Sequence, residues 1–320
     1  MNQPSADYLV TVVPLPSVAC EVSTRSAYVR IGGGGPGVGG SAGYLGPEFD
    51  AFPMNVSVRP PENTQPTTDE ERFRGRLGLV RRLHTVSKHS ANASSSFLQQ
   101  YDDASRMILS PKMTAFDLQR EPQEVREAYG WSTPNPGDGG APRGATNPAA
   151  TAARRSMFAA DCLMARRLVE AGVTFVEVQL RGWDTHADNF NQSRSLCEAL
   201  DQPFARLLID LEERGLLDRT LVVWLGEFGR TPRINPNSGR DHFPRAFSGA
   251  LAGCGVRGGQ TIGSTTPSGE AIEERPVGEK DLFQTIYHAL GINAAKQTLT
   301  PIGRPIKFVD GGEPVKEVFG

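Results

Sequence analysis

The sequence predicts an α/β fold in which helices cover both faces of a mostly parallel sheet. In the C-terminal half, a helix pattern with an apolar stripe, an apolar run, a second helix pattern and a second apolar run follow one another. This alternation is typical of a βαβ unit, whose two strands run parallel. The second run, T-L-V-V-W-L at 220–225, is almost continuously apolar, as expected of a strand covered on both faces.

The first half of the chain contains one predicted strand and three predicted helices. The strand, Y-L-V-T-V-V at 8–13, is closed by prolines. Capping residues, helical spacing of apolar residues and terminating Gly or Pro mark the helices. The first helix begins at Thr68 or Asp69, the second covers 92–109 and the third covers 121–129.

Two stretches rich in Gly and Pro, 32–66 and 131–148, are predicted to be flexible loops. The run G-G-G-G-P-G-V-G-G at 32–40 contains the glycine spacing of a dinucleotide-binding turn. No helix pattern follows it, and such a turn binds phosphate only where it opens a helix. A surface loop is therefore the interpretation that the sequence favours.

The second half contains the alternating elements. Helices are predicted from 149 to Gly172, over 196–211 and over 281–290, and strands over 173–180, 220–225 and 246–251. A doubly wound sheet needs more strands than the sequence predicts in these 320 residues. We therefore expect one α/β domain over 1–320 whose sheet is incomplete.

Composition excludes several classes of function. A net charge of −2 gives no electrostatic basis for binding nucleic acid. No apolar run approaches the length of a membrane span, and residues 1–16 lack the basic and apolar regions of a signal peptide. The oligomeric state is left open.

Residues 182–244 contain the residues that predict chemistry. G-W-D-T-H at 182–186 follows the strand 173–180, and L-G-E-F-G-R-T-P at 225–232 follows the strand 220–225. In an extended segment, Asp184 and His186 project from the same face. Glu227 leaves a strand end, which is where open α/β sheets bind ligands. These residues predict a metal site at the sheet edge.

The third run, G-R-D-H-F-P at 239–244, adds Asp241 and His242. The two residues are adjacent, so only a turn would bring both to one centre. Two histidines with three carboxylates suit Zn²⁺, Mn²⁺ or Fe²⁺ better than a structural zinc site made of cysteines. Such clusters often hold two ions. The predicted cofactor is therefore one or two divalent ions, with Ca²⁺ also a candidate.

Arg230 and Arg240 lie close in sequence to these candidate ligands. A guanidinium binds phosphate or sulfate through two hydrogen bonds, so we expect these arginines to hold an oxyanion substrate. Other roles are open for single residues: Asp184 as a helix cap, Glu227 with Arg230 as an ordinary ion pair, and His242 as a surface histidine.

The motifs resemble a large bacterial family of unknown function within the alkaline phosphatase/sulfatase-like superfamily. The similarity is strongest over 150–295, where A-R-R-L-V-E-A-G-V-T-F-V-E-V at 165–178 precedes the three runs. It is weaker over 40–130, around G-Y-L-G-P-E-F-D-A-F. The resemblance implies an alkaline-phosphatase-like sheet with one or two metals at its strand ends.

The resemblance also implies roles. Asp184 and His186 would bind one metal, and His242 would be the late histidine ligand. Glu227-Phe228 stands where relatives carry Asp-His, which puts a second metal in doubt. Relatives also carry an opening run similar to F-M-x-G-G-P-S-H-x-D-x-F-D with the nucleophile soon after it, and no such run is found here. The chain thus resembles the C-terminal part of a longer protein.

The expected function is metal-dependent hydrolysis of phosphate or sulfate esters on a small molecule or glycan, with this chain inactive by itself. The alternative is a non-catalytic binding or surface-associated protein that keeps the hydrolase scaffold. Members of the family often carry a twin-arginine export signal. This sequence contains none, so the location of the protein is left open.

Overall fold

The computed structural model describes residues 7–14, 28–31, 42, 50–54, 66–86, 91–131, 144–300 and 302–320. The chain divides into two compact units: Ser57–Arg120 forms one, and Met1–Val56 with Glu121–Gly320 forms the other. The single domain over 1–320 stays a prediction.

In the unit Ser57–Arg120, the described residues form two helices, α1 (Glu70–Val86) and α2 (Ala91–Ile108), followed by two short 3-10 helices. The Asp69 carboxylate accepts a hydrogen bond from the Arg72 amide at 2.8 Å, which is the predicted capping interaction at the start of α1. Arg81 of α1 forms an ion pair with Asp102 of α2.

The described part of the larger unit contains twelve strands and four α-helices. The strands are β1 (Asp7–Pro14), β2 (Tyr28–Ile31), β3 (Phe52–Met54), β4 (Phe175–Arg181), β5 (Thr220–Leu225), β6 (Gly229–Arg230), β7 (His242–Phe243), β8 (Gly249–Ala252), β9 (Ser264–Thr265), β10 (Ile272–Glu274), β11 (Gln297–Leu299) and β12 (Pro305–Lys307). The helices are α3 (Gln123–Ala128), α4 (Pro148–Glu170), α5 (Asn189–Glu213) and α6 (Glu279–Ala289).

Six strands form the main sheet, in the order β3-β2-β4-β1-β5-β8. β2 pairs in parallel with both β3 and β4. β1 pairs antiparallel with β4 and β5, and β8 pairs antiparallel with β5. β4 and β5 therefore run in the same direction, as predicted for the unit β4-α5-β5, but β1 lies between them.

The prediction of a mostly parallel sheet is confirmed only in part: β3, β2 and β4 pair in parallel, whereas β1 and β8 pair antiparallel with their neighbours. β4 and β5 are not hydrogen-bonded neighbours: each pairs with β1, whose residues are more than 150 positions earlier in the chain. Local patterns predict that two strands run in the same direction, but they do not predict which distant segment pairs between them.

Helices lie against the sheet through buried apolar residues. α4 packs against α5 and contacts β4 and β1. Leu221 and Val223 of β5 form a cluster with Cys254, and Ile286 of α6 packs against it. None of the described helices is both long and apolar enough to cross a membrane.

The two predicted loops, 32–66 and 131–148, lie mainly outside the described residues. Of the stretch 32–66, the described part includes β3, so this part of the predicted loop is a strand. Of 131–148, residues 132–143 lie outside the described residues. At its end, the Asn147 side chain accepts a hydrogen bond from the Ala150 amide at 2.9 Å and caps α4.

Candidate metal site

The first part of the candidate site is the turn that follows β4. Gly182, with φ of +108°, lets the chain change direction directly after the strand. The Thr185 side chain is buried and accepts a hydrogen bond from Asn189 Nδ2 at 2.6 Å. Because alternate side chains of an extended segment point to opposite sides, this buried Thr185 leaves Asp184 and His186 facing outwards together.

The second part is the ribbon formed by β6 and β7. The two strands pair antiparallel, with Arg230 opposite His242. Beyond the pair, the Thr231 amide donates to the Asp241 carbonyl at 2.9 Å, and the Asp241 amide donates to Thr231 Oγ1 at 3.0 Å. The ribbon therefore holds Arg230 and His242 side by side.

The turn and the ribbon bring three potential ligand atoms together. His186 Nε2 lies 3.0 Å from Asp184 Oδ1 and 3.2 Å from His242 Nε2. His242 Nε2 lies 3.0 Å from the same Asp184 oxygen. We call Asp184, His186 and His242 the triad. Among the described residues, the triad is the group of three such side chains that could hold a metal ion.

The spacing within the triad fits a first-row divalent ion. Ligand atoms about 2.1 Å from such an ion are about 3.0 Å apart at right angles and about 3.4 Å apart in a tetrahedron. The triad distances of 3.0, 3.0 and 3.2 Å fall in this interval. The side chains of Asp184, His186 and His242 are 34%, 47% and 37% exposed. Solvent therefore reaches the triad, as in catalytic sites that use three protein ligands and keep one position open.

Asp241 contacts the His186 ring at Nδ1, whereas Asp184 and His242 face its other nitrogen, Nε2. Asp241 Oδ1 is 3.1 Å from His186 Nδ1 and accepts a hydrogen bond from Asn235 Nδ2 at 3.0 Å. The hydrogen bonds from Asn235 and His186 lower the pKa of Asp241. The ionised carboxylate favours the His186 tautomer with its proton on Nδ1, which leaves the Nε2 lone pair for a ligand.

Glu227 also lies outside the triad. Its Oε1 is 3.4 Å from both terminal nitrogens of Arg230, whose Nη2 donates to Asp184 Oδ1 at 3.0 Å. The Arg230 guanidinium lies 5.5 Å from the Phe228 ring centre, and the Phe228 ring is 4.7 Å from that of His242. Arg230 therefore joins a carboxylate of the triad to Glu227.

Arg240, the second arginine predicted to hold an oxyanion, donates hydrogen bonds to protein acceptors. Its Nη1 donates to the carbonyls of Thr231 and Pro232 at 2.6 and 2.7 Å, and its Nε donates to Asn189 Oδ1 at 3.2 Å. These bonds connect the loop after β6 to the start of α5. A role for Arg240 in substrate binding stays a prediction.

Asn235 is the residue of the site that sequence reasoning missed. Besides Asp241, its Nδ2 contacts the His186 carbonyl at 3.0 Å, while its Oδ1 accepts from the amides of Asn237 and Gly239 at 3.0 and 2.9 Å. The run N-P-N-S-G at 235–239 is typical of a turn in which Asn bonds to the backbone ahead of it. That signal indicates the turn but not its contact with His186.

The fold and the site define an α/β protein with a candidate metal-binding triad after one of its strands. Comparison with protein families identifies the family: the family model described as "Protein of unknown function (DUF1501)" matches residues 18–319 of the chain. The chain belongs to this family. No curated protein and no solved structure matches it.

Proposed function

We propose that the protein is a metal-dependent hydrolase of phosphate or sulfate esters, with a fold of the alkaline phosphatase/sulfatase-like superfamily. The observation that carries the proposal is the convergence of three nitrogen and oxygen ligand atoms, 3.0–3.2 Å apart, on a solvent-accessible surface. The site also follows a strand of a βαβ unit, where α/β enzymes bind their ligands.

A divalent ion at the triad would lower the pKa of a water molecule and neutralise charge that develops on an ester oxyanion. The chain's own residues support this chemistry. Asp241 holds the Nδ1 proton of His186 and so orients the ring. Arg230, whose side chain is 14% exposed, places a permanent positive charge beside Asp184.

A second candidate function is a binding protein that keeps the metal but has no catalytic activity. The contacts of the two arginines favour this candidate, because both guanidinium groups already have protein acceptors. Arg230 contacts Asp184 and Glu227, and Arg240 contacts two backbone carbonyls and Asn189. A substrate oxyanion would have to compete with these acceptors. This candidate predicts metal binding without ester turnover.

Metal content and ester turnover measured on the same purified protein separate the two candidates. The full chain would be loaded with Zn²⁺, Mn²⁺ or Ca²⁺ and assayed with p-nitrophenyl phosphate and p-nitrophenyl sulfate. If the protein is a hydrolase, we expect ester turnover only in the presence of the ion. His186→Ala should lose both the bound ion and the turnover. His288→Ala is the matched control, because His288 lies on α6 and packs against Phe319 near the C-terminus. Bound metal with no turnover of any ester contradicts the hydrolase.

A further inference from the structure

The number of ions can be inferred from the positions of the five candidate ligands. A second catalytic ion needs ligands of its own about 3.5–4 Å from the first ion. Asp241 contacts Nδ1 of His186, whereas the triad uses Nε2 on the other side of the ring. Glu227 contacts Arg230. Both carboxylates left over from the triad thus have other partners.

Arg230 lies between Asp184 of the triad and Glu227, a carboxylate that a second ion beside the triad could use. Its Nη2 lies 3.0 Å from Asp184 Oδ1 and 3.4 Å from Glu227 Oε1, so one guanidinium bridges the two carboxylates. A metal bridging the same oxygens would meet this positive charge. Like charges at this short distance repel each other, so the guanidinium disfavours a second cation there.

We propose that the site holds a single divalent ion, bound by the triad, and that Arg230 supplies the second positive charge between Asp184 and Glu227. The inference rests on the proposed function only for the presence of an ion. In an ester hydrolase, it means that a guanidinium, and not a second metal, would lie beside the ion and face the charge of the substrate.

The first test counts ions. The full-length protein is stripped with a chelator and titrated with Zn²⁺ or Mn²⁺, and bound metal is measured by elemental analysis after gel filtration. We expect one ion per chain in the wild type and in Glu227→Gln, with dissociation constants that differ by less than about threefold because Glu227 faces Arg230 and is screened by solvent. We expect no bound ion in His242→Ala. Two ions per wild-type chain, or an ion lost in Glu227→Gln, would overturn the proposal.

The second test asks whether Arg230 acts through its charge. Removing a positive charge beside a bound cation strengthens binding, so Arg230→Gln should lower the dissociation constant of the first ion about tenfold at low salt. The gain should shrink at high salt, because added ions screen the repulsion. Arg230→Lys, which keeps the charge, should bind within about threefold of the wild type. A purely structural role predicts the opposite, weaker binding in Arg230→Gln.

Arg233→Gln is the matched control, because Arg233 is an exposed arginine three positions along the chain. It removes the same net charge and should leave ion affinity unchanged. Equal effects of Arg230→Gln and Arg233→Gln would overturn the role of Arg230. The ion count is independent of turnover: one ion without ester hydrolysis supports the single-ion site while contradicting the hydrolase, and a wild type that binds no ion contradicts both.

Discussion

At the residue scale, the orientation of one imidazole decides whether the triad can bind an ion. The His186 ring is held at Nδ1 by Asp241, and Asn235 holds Asp241 and the His186 carbonyl with the same Nδ2 group. Because the ligand nitrogen is the other one, Nε2, this support adds no ligand. It determines where the lone pair of Nε2 points.

Removing that support should weaken ion binding without removing a ligand. Asp241→Asn and Asn235→Ala are each expected to lower affinity for Zn²⁺ about 10–100-fold, the range found for partners of metal-bound histidines. Isothermal titration measures the change, and thermal melting of the metal-free protein checks the fold. Asn191→Ala is the control, since Asn191 contacts Asp188 and not the triad. Unchanged affinity in both variants would contradict the support role.

Asp161 on α4 is a buried acid whose charge state affects stability. Burial raises its pKa to about 8. The unfolded chain releases this proton near pH 4, so the folded state holds more protons between about pH 4 and pH 8. The contribution to stability is therefore complete below about pH 4 and is lost as pH rises towards 8, by at most about 1.4 kcal/mol per pH unit.

Asp161→Asn should remove this dependence. We expect the variant to be more stable than the wild type at pH 8 by about 2 kcal/mol or more, and the difference to shrink towards pH 5. Urea unfolding at several pH values measures both effects. Asp218→Asn, a substitution at an exposed position, is the control. A difference that does not change with pH would show that Asp161 is not the titrating group.

At the element scale, the loop between β6 and β7 is held against the turn after β4. The Arg240 amide donates to the Thr185 carbonyl at 3.0 Å, and Ala187 pairs with Ser238. Gly239 makes the approach possible, since a Cβ on it would lie 2.0 Å from the His186 carbonyl carbon and oxygen. The triad therefore depends on a backbone contact that only glycine allows.

Gly239→Ala should separate the loop from the turn and so move His242 away from Asp184. We expect loss of ion binding of at least about tenfold, because a displaced ligand cannot keep its coordination geometry. Circular dichroism of the helices should be retained. Gly258→Ala is the matched control, because no other atom lies within 4 Å of the position that its Cβ would take. Wild-type ion affinity in Gly239→Ala would show that the close contact is not required.

At the scale of the whole molecule, a buried ion network joins α4 to α5 and to the segment before α3. Arg166 is 1% exposed, and its guanidinium lies 2.7 Å from Glu121 and 3.0 Å from Asp210. Tyr129 donates to Asp210 at 2.9 Å. Although burial acts to raise it, pairing with Arg166 holds the pKa of Glu121 below its ordinary value. This pairing therefore stabilises the fold at neutral pH and is lost in acid.

Arg166→Leu should destabilise the fold strongly, because the buried Glu121 and Asp210 would lose the guanidinium that lies between them. Among the described residues, Glu121 would keep only its pair with Arg167, and Asp210 only its contacts with Tyr129, Arg206 and Arg214. The expected loss is about 3–5 kcal/mol in the free energy of unfolding, measured by urea denaturation at pH 7. Arg74→Leu breaks the exposed pair with Glu70, where both side chains are 62% exposed, and should cost less than about 1 kcal/mol. Similar losses in both variants would show that burial of the network is unimportant.

Much of the secondary structure could be predicted because its signals are local. The strand predicted over 173–180 is found as β4, and the run 220–225 is β5 with the same bounds. Helix ends were less accurate: α5 begins at Asn189, before the apolar residues that predicted it over 196–211. The first turns of α5 are polar except for the exposed Phe190, so hydrophobic periodicity alone did not reveal them.

The sequence by itself determined that helices and strands alternate between residues 149 and 225, and that three runs between 182 and 244 contain residues able to bind a metal ion, because spacing along the chain decides which side chains share a face. Tertiary structure alone decided that β1 lies between β4 and β5, that Asp241 faces the Nδ1 side of His186, and that Glu227 meets Arg230. These contacts join segments from different parts of the chain, or depend on how a loop turns. Their partners are selected by packing and hydrogen-bond geometry in the folded chain, which residue spacing does not encode.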